Sequence, residues 1–194
     1  MLAILTFGME TTFFRFSQKE DSRKVFNNAE TLVLLISTVF LLFYCFFYKS
    51  FAELIHYEFN THYVLLLGII VAVDAAAAIP FAMLRKENKA GRFSLIKTIN
   101  VLTNIFFNIL FLVIIPEKSM MIAEHIFGQQ TSLLIWVFVS NILASALNLI
   151  LLAPQLSTLK ISLNKELIIP MLRYSFPILL ISLVGMINEV ADKI

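Results

Sequence analysis

Residues 62–116, HYVLLLGIIVAVDAAAAIPFAMLRKENKAGRFSLIKTINVLTNIFFNILFLVIIP, decide the fold class of this chain. Two apolar runs flank one polar turn, RKENKAGR, at 85–92. The first run carries one charge, Asp74, and the second is free of charge from 98 to 116. A helix rises 1.5 Å per residue, so either run suffices for the ~30 Å of bilayer hydrocarbon. Neither run shows the strict alternation of a strand. The turn between them is basic, with Arg85, Lys86, Lys89 and Arg92.

Reading outward, the same unit repeats. Apolar segments fall at about 1–16, 29–48, 62–84, 93–115, 131–154 and 170–190. In and beside the polar stretches, basic residues come in the order Arg15, Lys19, Arg23 and Lys24; Lys49; Arg85, Lys86, Lys89 and Arg92; Lys118; then Lys160, Lys165 and Arg173. Such alternation is the mark of a chain that weaves through a membrane, because Lys and Arg stay on the cytoplasmic side. The loops 17–25, 85–92 and 155–169 are therefore expected in the cytoplasm, and 49–61 and 116–130 outside. The expected fold is all-α and polytopic, one transmembrane domain over 1–194 with about six segments. Met120, Met121, Ile126 and Phe127 in the second external loop fit a short interfacial helix.

Composition agrees. Hydrophobic residues make up 59%, mean hydropathy is +0.87, and charged residues are 14%, against roughly 25% in a soluble domain. A net charge of +2 gives no basic surface for nucleic acid. The lone Cys45 excludes an internal disulfide framework. No basic n-region or small-residue cleavage site marks a secretory signal. With 17–25 inside, residues 1–16 must run inward with no helix before them. The chain is therefore expected to be a piece of a longer, transporter-like protein, its first and last segments incomplete, or to begin with a short re-entrant segment.

Polar groups inside apolar segments are costly and usually face a partner or a water-filled interior. Asp74 sits mid-span, before four alanines and Pro80. Two readings stand: an acid that carries a proton or cation beside a kink, or a packing charge bonded to a neighbouring helix. On the following helix, Ser94, Lys97, Asn100, Asn104 and Asn108 fall within an arc of about 120° at 100° per residue. A cavity-lining face is favoured, though Lys97 is near enough to the boundary to snorkel. Asn141, Ser145 and Asn148 form a weaker stripe, read as glue between helices. In the last segment Ser175, Ser182, Gly185, Glu189 and Lys193 share a face, with Glu189 and Lys193 spaced to pair. Glu10 lies deeper than Arg15 and on another face. His56, His62 and His125 lack metal-ligand spacing, and no phosphate loop, nucleophile elbow or HExxH is present, so neither metal, cofactor nor enzymatic activity is expected.

The string FGMETTFFRF at 7–16 resembles the second transmembrane helix of oligosaccharide flippases in the polysaccharide-export branch of the MOP (MATE-like) superfamily, Bacteroidetes type. Asp74 with AIPFA at 78–82, Leu84-Arg85, the basic turn ending Arg92-Phe93, Tyr174-Ser175-Phe176-Pro177 and Asn188-Glu189 extend the resemblance over nearly the whole chain. The resemblance implies most of an N-terminal lobe, with a C-terminal lobe of the same protein as partner. It also implies residence in the bacterial inner membrane and flipping of an undecaprenyl-diphosphate-linked oligosaccharide, for O-antigen or capsule synthesis, by alternating access. On this reading Arg15, Lys97, Asn100, Asn104 and Asn108 are the substrate or cavity candidates, and Glu10, Asp74 and Glu189 the ion-coupling candidates. The alternatives are a drug or cation antiporter of the same superfamily and a non-transporting membrane scaffold.

Overall fold

The computed structural model describes residues 2–54, 61–128 and 132–191, with the backbone alone at 2, 3 and 189–191. The described residues contain helices and connections but no strand. The helices are α1 (Leu2–Thr6), α2 (Met9–Phe16), α3 (Ser22–Leu54), α4 (Thr61–Lys86), α5 (Ala90–Ile109), α6 (Pro116–Phe127), α7 (Ile135–Leu151), α8 (Ala153–Leu156) and α9 (Lys165–Ala191). A π-helical turn, Leu110–Ile114, extends α5. Four helices among the described residues are long and apolar enough to cross a membrane: α3, α4, α5 with its π turn, and α9. The apolar α7 is shorter, at 17 residues.

Several boundaries depart from the sequence reading. The first segment is two helices, broken at Phe7 (φ 50°) and Gly8 (φ 64°). The break is seated against α9, where a Cβ on Gly8 would lie 3.1 Å from both the Ser175 carbonyl oxygen and Ile178 Cγ2. Hydropathy cannot show such a break, because it reports side-chain chemistry and says nothing of φ. The second segment starts at Ser22 rather than 29. Asp21 sets that start, its Oδ1 accepting the Arg23 N–H at 2.9 Å, as an N-cap acid does. Within the segment placed at 131–154, the described residues form a helix over Ile135–Leu151, with α8 following. The last begins at Lys165, so Pro170 lies inside it. Asn164 starts that helix, its Oδ1 accepting the Glu166 N–H at 3.0 Å. The short helix expected in the 116–130 loop is present as α6, and Trp136 Nε1 of α7 donates to its Ser119 carbonyl at 3.0 Å.

Packing centres on α4, which has α3 on one side and α7 on the other, while α5 lies along α7 and α9 covers α1, α2 and α3. Ala72, Ala75 and Ala82 are buried on α4 beside Val25, Phe26, Ala29 and Val33 of α3 and Met9 and Phe13 of α2. Small residues let helix backbones approach, which matters in lipid because the tails are as apolar as the side chains they would release. Gly68 serves the same end further along. A methyl there would overlap the Tyr44 ring, whose hydroxyl donates to the Val64 carbonyl at 2.8 Å.

The segment 159–164 between α8 and α9 has no regular structure, yet it is fastened. Three α3 side chains accept alternate backbone N–H groups: Asn27 Oδ1 from Lys160 at 3.2 Å, Thr31 Oγ1 from Ser162 at 3.3 Å, and Asn28 Oδ1 from Asn164 at 2.7 Å. An extended chain turns every second N–H the same way, which matches this spacing. The segment thus forms a clasp across α3.

Candidate functional site

A cavity of about 270 Å³ opens between α2, α4, α5 and α7. Each helix gives it one face. Asp74, Ala77, Ala78, Phe81 and Arg85 of α4 follow the three-and-four spacing that stacks side chains on one side of a helix, as do Phe93, Lys97 and Asn100 of α5 and Asn141, Ser145 and Asn148 of α7. Glu10 enters from α2. Apolar packing beneath holds the walls in place: Ala77, Phe81, Leu84, Ile96 and Leu152 form one buried cluster.

The charged groups differ in how they are satisfied. Glu10 forms an ion pair with Arg85, both side chains about two-fifths exposed, at 43% and 41%. Asp74 Oδ1 accepts a 2.6 Å hydrogen bond from Ser145 Oγ. Lys97 has no carboxylate within ion-pair distance among the described residues; its Nζ lies 4.2 Å from the Phe81 ring centre. Arg85 lies over two rings, 5.2 Å from Phe14 and 5.5 Å from Phe93. Phe81 and Phe93 meet edge to face at 5.5 Å. Asn148 is buried, and its Oδ1 has no hydrogen-bond partner among the described residues. A buried amide oxygen left unpaired costs roughly 1–3 kcal/mol, and Asn148 carries that cost within the cavity wall.

Of the residues expected at a site, the fold gathers Glu10, Asp74, Lys97 and Asn100. Arg15 lies elsewhere, its guanidinium 4.3 Å from the Tyr174 ring centre and bridging α2 to α9. Asn104 and Asn108 continue the α5 stripe beyond the cavity lining and bond to each other, Asn108 Nδ2 to Asn104 Oδ1 at 2.6 Å. The Glu189 side chain and Lys193 lie outside the described residues, as do His56 and Tyr57. Arg85, Asn141, Ser145 and Asn148 join the site although the sequence marked the first as a loop cation and the others as packing. The α7 stripe does both, since Ser145 bonds Asp74 across the interface while Asn141 and Asn148 line space. Its polar spacing of four and three repeats that of Phe93, Lys97 and Asn100, a signal present in the sequence.

A larger depression, about 430 Å³, lies beside the clasp and is lined by Glu20, Lys24, Asn27, Asn28 and Glu166 among others. Its asparagine oxygens are already taken by backbone amides. The smaller cavity is the better candidate, because it brings together amides, aromatic faces and a cation with no carboxylate partner among the described residues. Comparison of the chain with protein-family profiles, curated proteins and solved structures returned no match.

Proposed function

We propose that this protein forms most of one lobe of a bacterial inner-membrane flippase, moving undecaprenyl-diphosphate-linked oligosaccharides for surface-polysaccharide synthesis. The carrying observation is the cavity itself: Lys97, without a carboxylate partner, beside the hydrogen-bonding groups Asn100, Asn141, Asn148 and Asp74 and the rings of Phe81 and Phe93. A cation without a partner attracts phosphate oxygens. Amides and a carboxylate suit sugar hydroxyls, and aromatic faces suit the apolar side of a sugar ring. The alternating loop charges support residence in a membrane with the basic turns inside. The sequence resemblance supports the class of substrate and a second lobe that would rock against this one, as in alternating access. Asp74, at mid-span, is the group best placed to couple the movement to an ion.

Asp74 also favours a second reading, an antiporter for apolar cations, since a carboxylate near aromatic rings suits such a substrate. The two readings part at Lys97, which would repel a cation. In cells that depend on the protein for export, Lys97→Gln is expected to cut export at least tenfold and to accumulate lipid-linked repeat units. Normal export with Lys97→Gln, together with loss of cation resistance in Asp74→Asn, would favour the antiporter.

A further inference from the structure

We infer that Arg85 and Lys97 form a two-cation clamp for a prenyl-linked diphosphate, and that Glu10 occupies Arg85 as an internal stand-in for that anion. This rests on the flippase reading for its substrate, but its geometry stands apart. The two cations come from different helices, α4 and α5, and share one floor. Lys97 lies over Phe81 and Arg85 over Phe93, while the two rings touch edge to face. Aromatic seats hold cations without neutralising them, which leaves their N–H groups for an acceptor.

The distribution of carboxylates supports the clamp. Asp74 is engaged by Ser145 and is not within ion-pair distance of either cation. Among the described residues Glu10 is the carboxylate that meets a cation of the pair, and it does so from a neighbouring helix, on Arg85. Both partners are well exposed, and exposed ion pairs contribute little, about 0.2–1 kcal/mol. Such a bond is weak enough for a diphosphate to displace. A diphosphate carries several oxygens and matches the planar fork of a guanidinium. Glu10 then keeps Arg85 extended toward the cavity when no substrate is present, and repels anions too weakly charged to compete. This makes Glu10 a specificity residue, in place of the ion-coupling role that its depth in the sequence suggests.

The test is binding of farnesyl diphosphate to the purified protein in lipid nanodiscs, followed by calorimetry, with farnesyl monophosphate and inorganic pyrophosphate as further arms. Glu10→Gln is expected to tighten farnesyl diphosphate about two- to fivefold, by releasing Arg85. Arg85→Gln is expected to weaken it about tenfold or more, and Glu10→Gln added to Arg85→Gln to change nothing further. Arg85→Lys, which keeps the charge but loses the fork, should fall between, and serves if Arg85→Gln fails to fold. The monophosphate should bind more weakly than the diphosphate in wild type, with that preference reduced in Glu10→Gln. Tighter binding of pyrophosphate than of farnesyl diphosphate would overturn the prenyl-linked source. Weaker or unchanged binding in Glu10→Gln would overturn the stand-in role. If Arg85→Gln binds as wild type while Lys97→Gln does not, the clamp fails and the flippase reading stands. If the binding pattern holds while export is normal in Lys97→Gln, the clamp stands and the flippase reading fails.

Discussion

Asparagine does opposite work in two parts of this molecule. In the clasp, Asn27 and Asn28 of α3 give their carbonyl oxygens to the backbone of 160–164, and Thr31 adds a third acceptor. In the cavity wall, Asn148 of α7 is equally buried, yet its oxygen has no partner among the described residues. The first arrangement removes polar demand from the chain's interior. The second leaves that demand unmet within the wall of a cavity. A polar residue in an apolar helix is therefore not a site by its type or its depth. It becomes a candidate where the fold sets it in the wall of a cavity without meeting its hydrogen bonds. Glu30 shows a third case: it is fully buried on α3, and neither carboxylate oxygen has a partner among the described residues.

The contrast can be broken most forcefully at the clasp. The triple change Asn27→Leu, Asn28→Leu and Thr31→Val strands three backbone amides, at about 1 kcal/mol each, so a loss of about 3 kcal/mol is expected. Thermal unfolding in detergent measures it. A matching triple in the cavity, Asn100→Leu, Asn141→Leu and Asn148→Leu, should move the midpoint far less. Equal losses would erase the distinction between the two regions. Glu30→Leu is expected to act in the opposite direction, stabilising by about 1–2 kcal/mol through removal of a buried group whose oxygens are unpaired. A destabilised Glu30→Leu protein would show that the carboxyl has a partner in the working state. Ser145→Ala comes next, costing about 1 kcal/mol because Asp74 loses its hydroxyl donor. The smallest effect is expected at Glu10→Gln, within about 0.5 kcal/mol of wild-type stability, since both ion-pair partners are well exposed.

Much of this was legible in the sequence, and the part that was not has physical reasons. The helices from 61 to 114 follow from apolar length, and the places of Asp74, Lys97 and Asn100 follow from helical period. The same period overreached at Asn104 and Asn108, because an angular face continues along a helix whereas a cavity ends. Arg85 reads in the sequence as a loop cation, because it sits at a helix end beside the basic turn. Only the arrival of α2, with Glu10 and Phe14, turns that end into a cavity wall. The clasp joins residues 131 to 136 positions apart, beyond the reach of any local pattern. The break at Phe7 and Gly8 is hidden because hydropathy reports surface chemistry and says nothing of φ.

One comparison within a single stripe tests the central claim most directly. Asn100 lines the cavity, while Asn104, on the same face one turn on, does not. Native mass spectrometry of the nanodisc-embedded protein with a prenyl-diphosphate-linked sugar reads both. Asn100→Leu is expected to weaken binding about tenfold, and Asn104→Leu to leave it within about twofold of wild type, as loss of one good hydrogen bond would give. Equal weakening by the two, or none by either, would contradict the assignment of this cavity as the substrate's place.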